Sequence, residues 1–268
     1  MARPRRRRIR RAPCGTARQA AGQGKRRHRG SRDAVRRKGP SPCPRGPRPR
    51  RRYSHGIRAR SHDSAARFQP HPFRLDAGRL RAIGAIAARI SAVDPGPSVA
   101  LPVRSGPIED FPWERLRHEH GASAILLQAE TAIASTKPED TRTGLTHGDL
   151  WYGNTLWDDN GDLTAVLDWD AAGIGSSGID LGSLRLDAAL CYGPDTAAEV
   201  LAGWQDEADR PAPDVPYWDA VAALATPPDM AWVAPTIADQ GRPDLTGNLL
   251  TQRRDAFLRT ALTGLDAR

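Results

Sequence analysis

Two aspartates and an asparagine at fixed intervals constrain this chain more than any other feature of its sequence. Residues 147–154 read HGDLWYGN, so that Asp149 precedes Asn154 by five positions, and Asp168 follows within Leu167-Asp168-Trp169. Two short apolar runs, 155–157 and 163–167, lie between Asn154 and Asp168, and they are joined by DDNGD. Asn-Gly is a strong signal for a tight hairpin turn. We therefore expect a hairpin that returns Asp168 to the side of Asn154.

This set of side chains matches what phosphoryl transfer requires of a protein. The reaction needs a carboxylate that orients and deprotonates the attacking hydroxyl, and oxygen ligands for the magnesium that neutralises the phosphates. Asp149, Asn154 and Asp168 supply both. The alternative is that each is an ordinary loop residue, because short polar side chains often satisfy nearby backbone groups. That alternative does not account for the joint spacing.

The segment from Asp76 to the C-terminus resembles the aminoglycoside phosphotransferase family. The resemblance rests on HGDLWYGN, on VLDWD at 166–170, and on Gly178-Ile179-Asp180-Leu181 with the helix that follows it. It implies a protein-kinase-like fold that uses ATP and Mg²⁺ to phosphorylate a hydroxyl of a small molecule. The combined motif is specific, whereas any one piece alone is weak.

The resemblance also implies a role for each matching residue. Asp149 would be the catalytic base, and Asn154 and Asp168 would hold magnesium and, through it, the nucleotide. His147 would brace the loop, since a histidine beside a buried strand is more often a hydrogen-bonded structural residue than an acid or base. Asp180 would tie the start of the next helix to the same loop.

The charge of the chain changes sign near residue 75. Residues 1–75 contain 25 Lys or Arg and two acids, whereas the remaining residues contain 15 basic and 29 acidic side chains. The first part is also rich in proline and poor in large apolar residues, a composition that buries too little to offset its ordering entropy. We expect a disordered basic segment at 1–75 and a catalytic lobe at 76–268. The segment could hold nucleic acid phosphates nonspecifically.

A kinase-like enzyme also needs an N-terminal lobe with a phosphate-covering loop and a phosphate-binding lysine. Neither is visible in the sequence. One hypothesis is that residues 1–74 are a frame-shifted or misassigned translation of GC-rich DNA, which would give this Arg, Pro, Gly and Ala bias. The competing interpretations are a genuine basic tail, an inactive fragment or pseudokinase, and a nucleic-acid-associated protein.

Other classes of protein are less compatible with the sequence. No run approaches the roughly 20 apolar residues of a membrane-spanning helix, and the N-terminus lacks the apolar segment of a secretory signal. Cys14, Cys43 and Cys191 form no metal or redox motif, and their odd number gives no disulfide framework. We therefore expect a cytoplasmic protein without a membrane partner.

The fold expected for residues 76–268 is α+β, mostly helical with a small β-hairpin. Apolar periodicity predicts a helix from Asp76 to Ala92 and, after a loop, further helices. These are expected at 113–120, 122–135, 180–191, 195–206, 217–225 and 245–265, with a short strand at 145–146. In the last helix, Arg253, Arg254 and Asp255 are expected to face outward.

Two further patterns suggest other sites. Residues 173–178 read GIGSSG, which matches a dinucleotide-binding fingerprint, but no second parallel strand follows the next helix. The resemblance to the phosphotransferase family implies that this segment is a short flexible link. His118-Glu119-His120 could bind a metal, although the sequence places no third ligand and a solvated helix end is the commoner explanation.

The acceptor cannot be named from the sequence, but its contacts are expected in the C-terminal helices and loops. Acidic residues such as Glu109, Asp110, Asp158 and Asp159 would attract a cationic acceptor if they lay near the mouth of the site. Aromatic and polar residues that could be either pocket or core are Trp204, Tyr217, Trp218, Asp229, Trp232, Asp239 and Gln240.

Overall fold

The computed structural model describes residues 76–96 and 100–267. The disorder, the nucleic acid contacts and the mistranslation considered for residues 1–75 lie outside the described residues. Contacts divide the chain into two units, residues 1–62 and 63–268, and only the second contains described residues. Within the described ranges the fold is α+β and mostly helical, as the sequence predicts.

The described part contains eight α-helices and four short strands. In chain order the helices are α1 (Ala77–Ser91), α2 (Trp113–His120), α3 (Ala124–Ser135), α4 (Gly178–Tyr192), α5 (Thr196–Ala208), α6 (Val215–Leu224), α7 (Ala234–Asp239) and α8 (Gly247–Asp266). The strands are β1 (Gly144–Thr146), β2 (Thr155–Trp157), β3 (Leu163–Val166) and β4 (Gly173–Gly175). Antiparallel pairing joins β1 to β4 and β2 to β3.

The predicted helices are confirmed, and the elements missed by the sequence analysis are short. Helix α7 has six residues with a proline in its first turn, too few to show a helical period. Strand β4 contains two glycines, which have low strand propensity, and it lies within the segment 173–178 that the family resemblance predicts to be a flexible link. That expectation is wrong: Gly173–Gly175 pairs along its whole length with Gly144–Thr146.

Helix α1 shows how local sequence and packing cooperate in this lobe. The Asp76 side chain accepts a hydrogen bond of 2.8 Å from the backbone N–H of Arg79, which caps the helix start. Leu80, Ile83 and Ile90 form a buried stripe. This stripe joins the core between α1, α4, α5 and the hairpin, where Trp204 is fully buried.

Glycines allow α1 and α5 to approach closely. A Cβ added to Gly84 would lie 2.0 Å from the carbonyl oxygen of Val200, and one added to Gly203 would lie 2.0 Å from that of Arg81. Ion pairs of 2.8 Å, from Arg81 to Glu199 and from Arg89 to Glu207, flank the crossing. Exposed ion pairs of this kind contribute little to stability.

Buried arginines join the helices of the C-terminal half. The Arg185 guanidinium of α4 contacts both carboxylate oxygens of Asp219 in α6, at 2.8 Å each. Burial raises the pKa of the Asp219 carboxyl, and the Arg185 guanidinium opposes this shift. Arg254 of α8 is fully buried and donates to the carbonyl oxygen of Pro227 at 2.7 Å.

The expectation that Arg253 and Arg254 face outward is therefore wrong. Arg253 donates to the carbonyl oxygen of Leu190 at 2.7 Å, near the C-terminal end of α4. The last carbonyls of a helix lack intrahelical donors and carry partial negative charge, so a guanidinium can be buried against them. Apolar periodicity does not reveal such partners.

The glycine contact gives a test of the fold. We expect Gly84→Ala and Gly203→Ala each to lower the free energy of unfolding by about 1–3 kcal/mol, because the added methyl overlaps backbone atoms. The higher helix propensity of alanine would act in the opposite direction. Urea denaturation measures the change. The control is Gly106→Ala, whose Cβ would meet Val221 at an ordinary 3.6 Å, and equal stability of all three variants would contradict the packing argument.

Candidate active site

The loop of residues 147–154 leaves β1 through a turn that requires glycine. Gly148 has a φ of +80°, and a Cβ at this position would lie 2.3 Å from the carbonyl oxygen of Ala171. Both the backbone angle and the available space therefore exclude a side chain. The turn brings the chain from buried Thr146 to Asp149, whose side chain is half-buried.

The carboxylate of Asp180 holds the start of this loop. Asp180 lies in the first turn of α4 and is 2% exposed. Its Oδ2 accepts from the backbone N–H of His147 at 2.7 Å, and its Oδ1 accepts from that of Gly148 at 2.9 Å. Burial raises the pKa of this carboxyl, while the two N–H groups act in the opposite direction. The contact joins α4 to the loop 32 residues upstream.

A second carboxylate on α4 holds the other end of the loop. Asp187 lies seven residues after Asp180, hence on the same helix face, and its Oδ2 accepts from the backbone N–H of Tyr152 at 3.0 Å. Asp187 was not among the site residues predicted from the sequence. The available signal was an aspartate at this spacing within the largely apolar helix GIDLGSLRLDAALCY.

The buried imidazole of His147 connects the loop to the hairpin. Its Nε2 lies 2.8 Å from the carbonyl oxygen of Leu167, and its Nδ1 accepts from the backbone N–H of Asp149 at 3.3 Å. A carbonyl only accepts, so this pattern assigns the proton to Nε2. The indole of Trp169 packs on the imidazole with ring centroids 4.6 Å apart.

The hairpin places Asp168 beside the loop, as its turn sequence predicts. Thr155 pairs with Val166, and the backbone N–H of Leu167 donates to the carbonyl oxygen of Asn154 at 2.8 Å. The side-chain amide of Asn154 donates to the carbonyl oxygen of Asp149 at 2.8 Å. A continuous chain of contacts thus runs from Asp149 through Asn154 to the residue before Asp168.

The three polar side chains differ in exposure. Asn154 is 9% exposed, Asp149 is half-buried, and Asp168 is exposed. Asp168 has a φ of +60°, a left-handed conformation that aspartate tolerates better than most residues. Such backbone strain persists where the surrounding structure imposes it, and it is concentrated at functional sites.

The donors fit magnesium in their chemistry. Mg²⁺ prefers oxygen ligands, and proteins commonly supply one or two carboxylates while phosphates and waters complete the octahedron. Asn154 and Asp168 offer an amide oxygen and a carboxylate. The described residues contain no group of three or more His, Cys, Asp or Glu that could hold a metal. A metal site at His118-Glu119-His120 therefore receives no support.

The glycines of the fingerprint-like segment 173–178 serve packing. A Cβ on Gly173 would meet the side chain of Arg104 at 2.4 Å, and one on Gly178 would meet the Trp218 ring at 2.0 Å. Both sites are therefore occupied by protein side chains.

Several acceptor candidates are core residues. Trp204, Trp218 and Gln240 are buried, and Asp229 accepts from the backbone N–H of Ala231 at 2.8 Å as a cap. Trp232 is 45% exposed and packs edge-on against His120.

A cavity of about 500 Å³ lies away from the loop of residues 147–154, at the C-terminal ends of α1 and α5. It is lined by residues that include Ser91, Glu207 and Arg210.

The Asp180 contact gives a test of the architecture of the site. Asp180→Ala leaves two buried N–H groups without their acceptor, and we expect a loss of about 2–4 kcal/mol in the free energy of unfolding. Urea denaturation measures this loss. Asp159→Ala, at an exposed aspartate of the hairpin turn, is the matched control and should change stability by less than about 0.5 kcal/mol. Equal stability of the two variants would show that the Asp180 contact is dispensable.

Within the described ranges, no helix is both long enough and apolar enough to cross a membrane.

Comparison with solved structures finds distant likenesses. Macrolide 2′-phosphotransferase type I shares 18% identity at a TM-score of 0.45, and the match covers 68% of this chain and 60% of that one. Macrolide 2′-phosphotransferase MphH from Brachybacterium faecium shares 20% identity at a TM-score of 0.44, with coverage of 72% and 67%.

Spectinomycin phosphotransferase APH(9)-Ia shares 13% identity at a TM-score of 0.43, with coverage of 72% of this chain and 68% of that one. This chain thus spans about 60% of the length of the macrolide 2′-phosphotransferase type I that it matches. No curated protein matches the sequence. The family model described as APH, phosphotransferase enzyme family, matches residues 7–224, well over half of the chain. The chain belongs to this phosphotransferase family.

Proposed function

We propose that residues 76–268 form the catalytic lobe of a phosphotransferase that moves the γ-phosphate of ATP to a hydroxyl of a small molecule. The observation that carries the proposal is the chain of contacts from Asp149, the proposed base, through Asn154 to Leu167, the residue before Asp168. Membership of the phosphotransferase family supports the same reaction class.

Asp149 is the proposed catalytic base. The acceptor hydroxyl attacks the γ-phosphorus while the bond to the bridging oxygen of ADP breaks, and the hydroxyl proton passes to the Asp149 carboxylate. A hydroxyl is a far weaker acid than a carboxylic acid, so Asp149 acts mainly by orienting the nucleophile and accepts the proton late. The hydrogen bonds on both sides of Asp149 fix its backbone, so the residue needs little rearrangement before transfer.

Asn154 and Asp168 are the proposed magnesium ligands. Magnesium bound there would neutralise charge on the phosphates. The contribution of the chain is to keep the two donors together: the Asn154 side chain is held by its bond to the Asp149 carbonyl, and Asp168 is held by the end of the hairpin. His147 and Asp180 are proposed as loop supports, because their contacts are to backbone groups of the loop and the hairpin.

The proposed reaction also needs a lysine that binds the phosphates. The one lysine of the described residues, Lys137, is exposed in the connection between α3 and β1. Phosphoryl transfer depends on positioning and charge stabilisation, so affinity for ATP and orientation both suffer without a phosphate lysine. An inactive lobe is therefore the competing outcome for this chain.

The base assignment is tested by transfer from ATP to a panel of small-molecule hydroxyls. We expect Asp149→Asn to lower the rate by about 10²–10⁴-fold, because the loss of a positioned base has this effect. Asp168→Asn should also abolish transfer, whereas the control Asp159→Asn should not. Unfolding curves confirm that each variant folds. Unchanged turnover in folded Asp149→Asn would contradict the assignment of Asp149 as the base. If the unaltered chain transfers no phosphate, the result favours an inactive lobe.

We further propose, on composition, that residues 1–74 are a frame-shifted translation that replaces a nucleotide-binding lobe. A genuine basic segment is the alternative, and the extension of the family match to residue 7 favours it. Resequencing the 5′ part of the gene and translating all three frames decides between them. The frame-shift hypothesis predicts that another frame encodes alternating apolar residues, a glycine-rich turn and a strand lysine, joining near Leu75. If no frame does so, the segment is genuine.

A further inference from the structure

Three contacts fix the backbone around Asp149, and one of them comes from outside the sequence motif. The Asp149 N–H donates to His147, and its carbonyl accepts from Asn154. The carbonyl of Gly148, which belongs to the peptide group between Gly148 and Asp149, accepts from the backbone N–H of Ile108 at 2.9 Å. Ile108 lies 40 residues upstream, in the loop between α1 and α2.

Ile108 makes this contact in a strained conformation. Its φ is +47°, in the left-handed region, where a β-branched residue is a genuine outlier. Its side chain is 38% exposed, so burial of that side chain does not explain the conformation. Strain of this kind persists only where surrounding contacts impose it. Held at this angle, the backbone N–H of Ile108 donates to the Gly148 carbonyl.

Hydrogen bonds on both sides of Ile108 restrain the segment of residues 102–111. One end is fixed to β4, because the N–H of Arg104 donates to the Ile174 carbonyl at 2.8 Å and the N–H of Ile174 donates to the Pro102 carbonyl at 2.8 Å. This fixes the entry of the segment to the same strand that pairs with β1, directly before the catalytic loop.

Two polar contacts close the segment upon itself. The Arg104 guanidinium lies 3.2 Å from Asp110, and the backbone N–H of Ser105 donates to Glu109 at 3.2 Å. Glu109 and Asp110, expected from sequence to attract a cationic acceptor, thus have intramolecular partners. The N–H of Phe111 also donates to the Ile108 carbonyl at 3.0 Å, so both backbone groups of Ile108 are engaged.

We propose that Ile108 is a positioning residue, and that segment 102–111 is a clamp whose strained backbone N–H holds the Gly148 carbonyl and thereby sets the direction of the Asp149 carboxylate. The inference rests on the proposed role of Asp149. It assigns the effect to the backbone of Ile108 and not to its side chain. Rotation of one peptide group beside the base is sufficient to misdirect it, because small displacements of a catalytic group are costly.

The test compares substitutions that separate the backbone from the side chain. Ile108→Pro removes the N–H and cannot adopt a φ of +47°. Ile108→Gly removes the side chain but keeps the N–H and adopts this angle freely. Val103→Ala is the matched control, because Val103 is an 81% exposed residue of the same segment. Thermal unfolding identifies the folded variants.

The first measurement is amide hydrogen exchange in the full chain. In Ile108→Pro we expect the amides of Gly148 and Asp149 to exchange at least about tenfold faster, since the loop opens locally, while amides of α4 are unchanged. Ile108→Gly and Val103→Ala should retain the protection of the unaltered chain. A double variant, Glu109→Ala with Asp110→Ala, loosens the clamp without imposing a new backbone angle. It should give a smaller acceleration at the same amides.

The second measurement is transfer kinetics. Ile108→Pro should lower kcat by about 10–100-fold with an unchanged KM for ATP, as expected for a misdirected base. Ile108→Gly should retain the kcat of the unaltered chain. If the Ile108 side chain acted by packing, its removal would instead lower kcat.

The proposal is overturned if Ile108→Gly loses as much kcat as Ile108→Pro. It is also overturned if loop exchange is unchanged both in the double variant and in folded Ile108→Pro. If the unaltered chain transfers no phosphate, the proposed function fails, while exchange at Gly148 and Asp149 still decides whether the clamp holds the loop.

Discussion

The arrangement of this lobe depends on a buried carboxylate that accepts two backbone N–H groups. Asp180 could be buried at the start of α4 only because the N–H groups of His147 and Gly148 satisfy it. In return, the Asp180 carboxylate fixes the position of these two residues, where the chain leaves β1. Asp187 repeats the contact two turns along the helix, at Tyr152. One rigid helix therefore supports both ends of the loop that carries the proposed base, and the helix in turn is held by the buried pair between Arg185 and Asp219.

The second constraint is close backbone approach. Gly84 and Gly203 let α1 and α5 touch at their main chains, and Gly148 lets the loop of residues 147–154 lie against the carbonyl of Ala171. At each contact a glycine is present because a side chain there would clash. Each contact joins segments that are distant in sequence. Buried guanidinium groups, such as that of Arg254, then satisfy carbonyl groups between helices. Polar burial of this kind rigidifies a structure only when every partner is present.

The proposed site combines buried supporting residues with more accessible residues that are proposed to react. Asp168 is exposed and Asp149 is half-buried, whereas His147 and Asp180, which contact the backbone around them, are buried. This division suits phosphoryl transfer, in which positioning and charge stabilisation do most of the work. In the proposed clamp, strain at Ile108 supplies one further fixed point, from a segment whose sequence carries no recognisable motif.

The sequence by itself determined the motif spacing, the hairpin and the main helices, because these depend on local signals: a turn dipeptide, apolar periodicity and a capping residue such as Asp76. It also brought Asp149, Asn154 and Asp168 into one hypothesis. Only the tertiary structure decided the contacts of Asp187, the burial of Arg254, the pairing of Gly173–Gly175 and the strained contact of Ile108. Each of these depends on a partner distant in sequence, and the partner is a backbone group that every residue carries, so no side-chain pattern announces it.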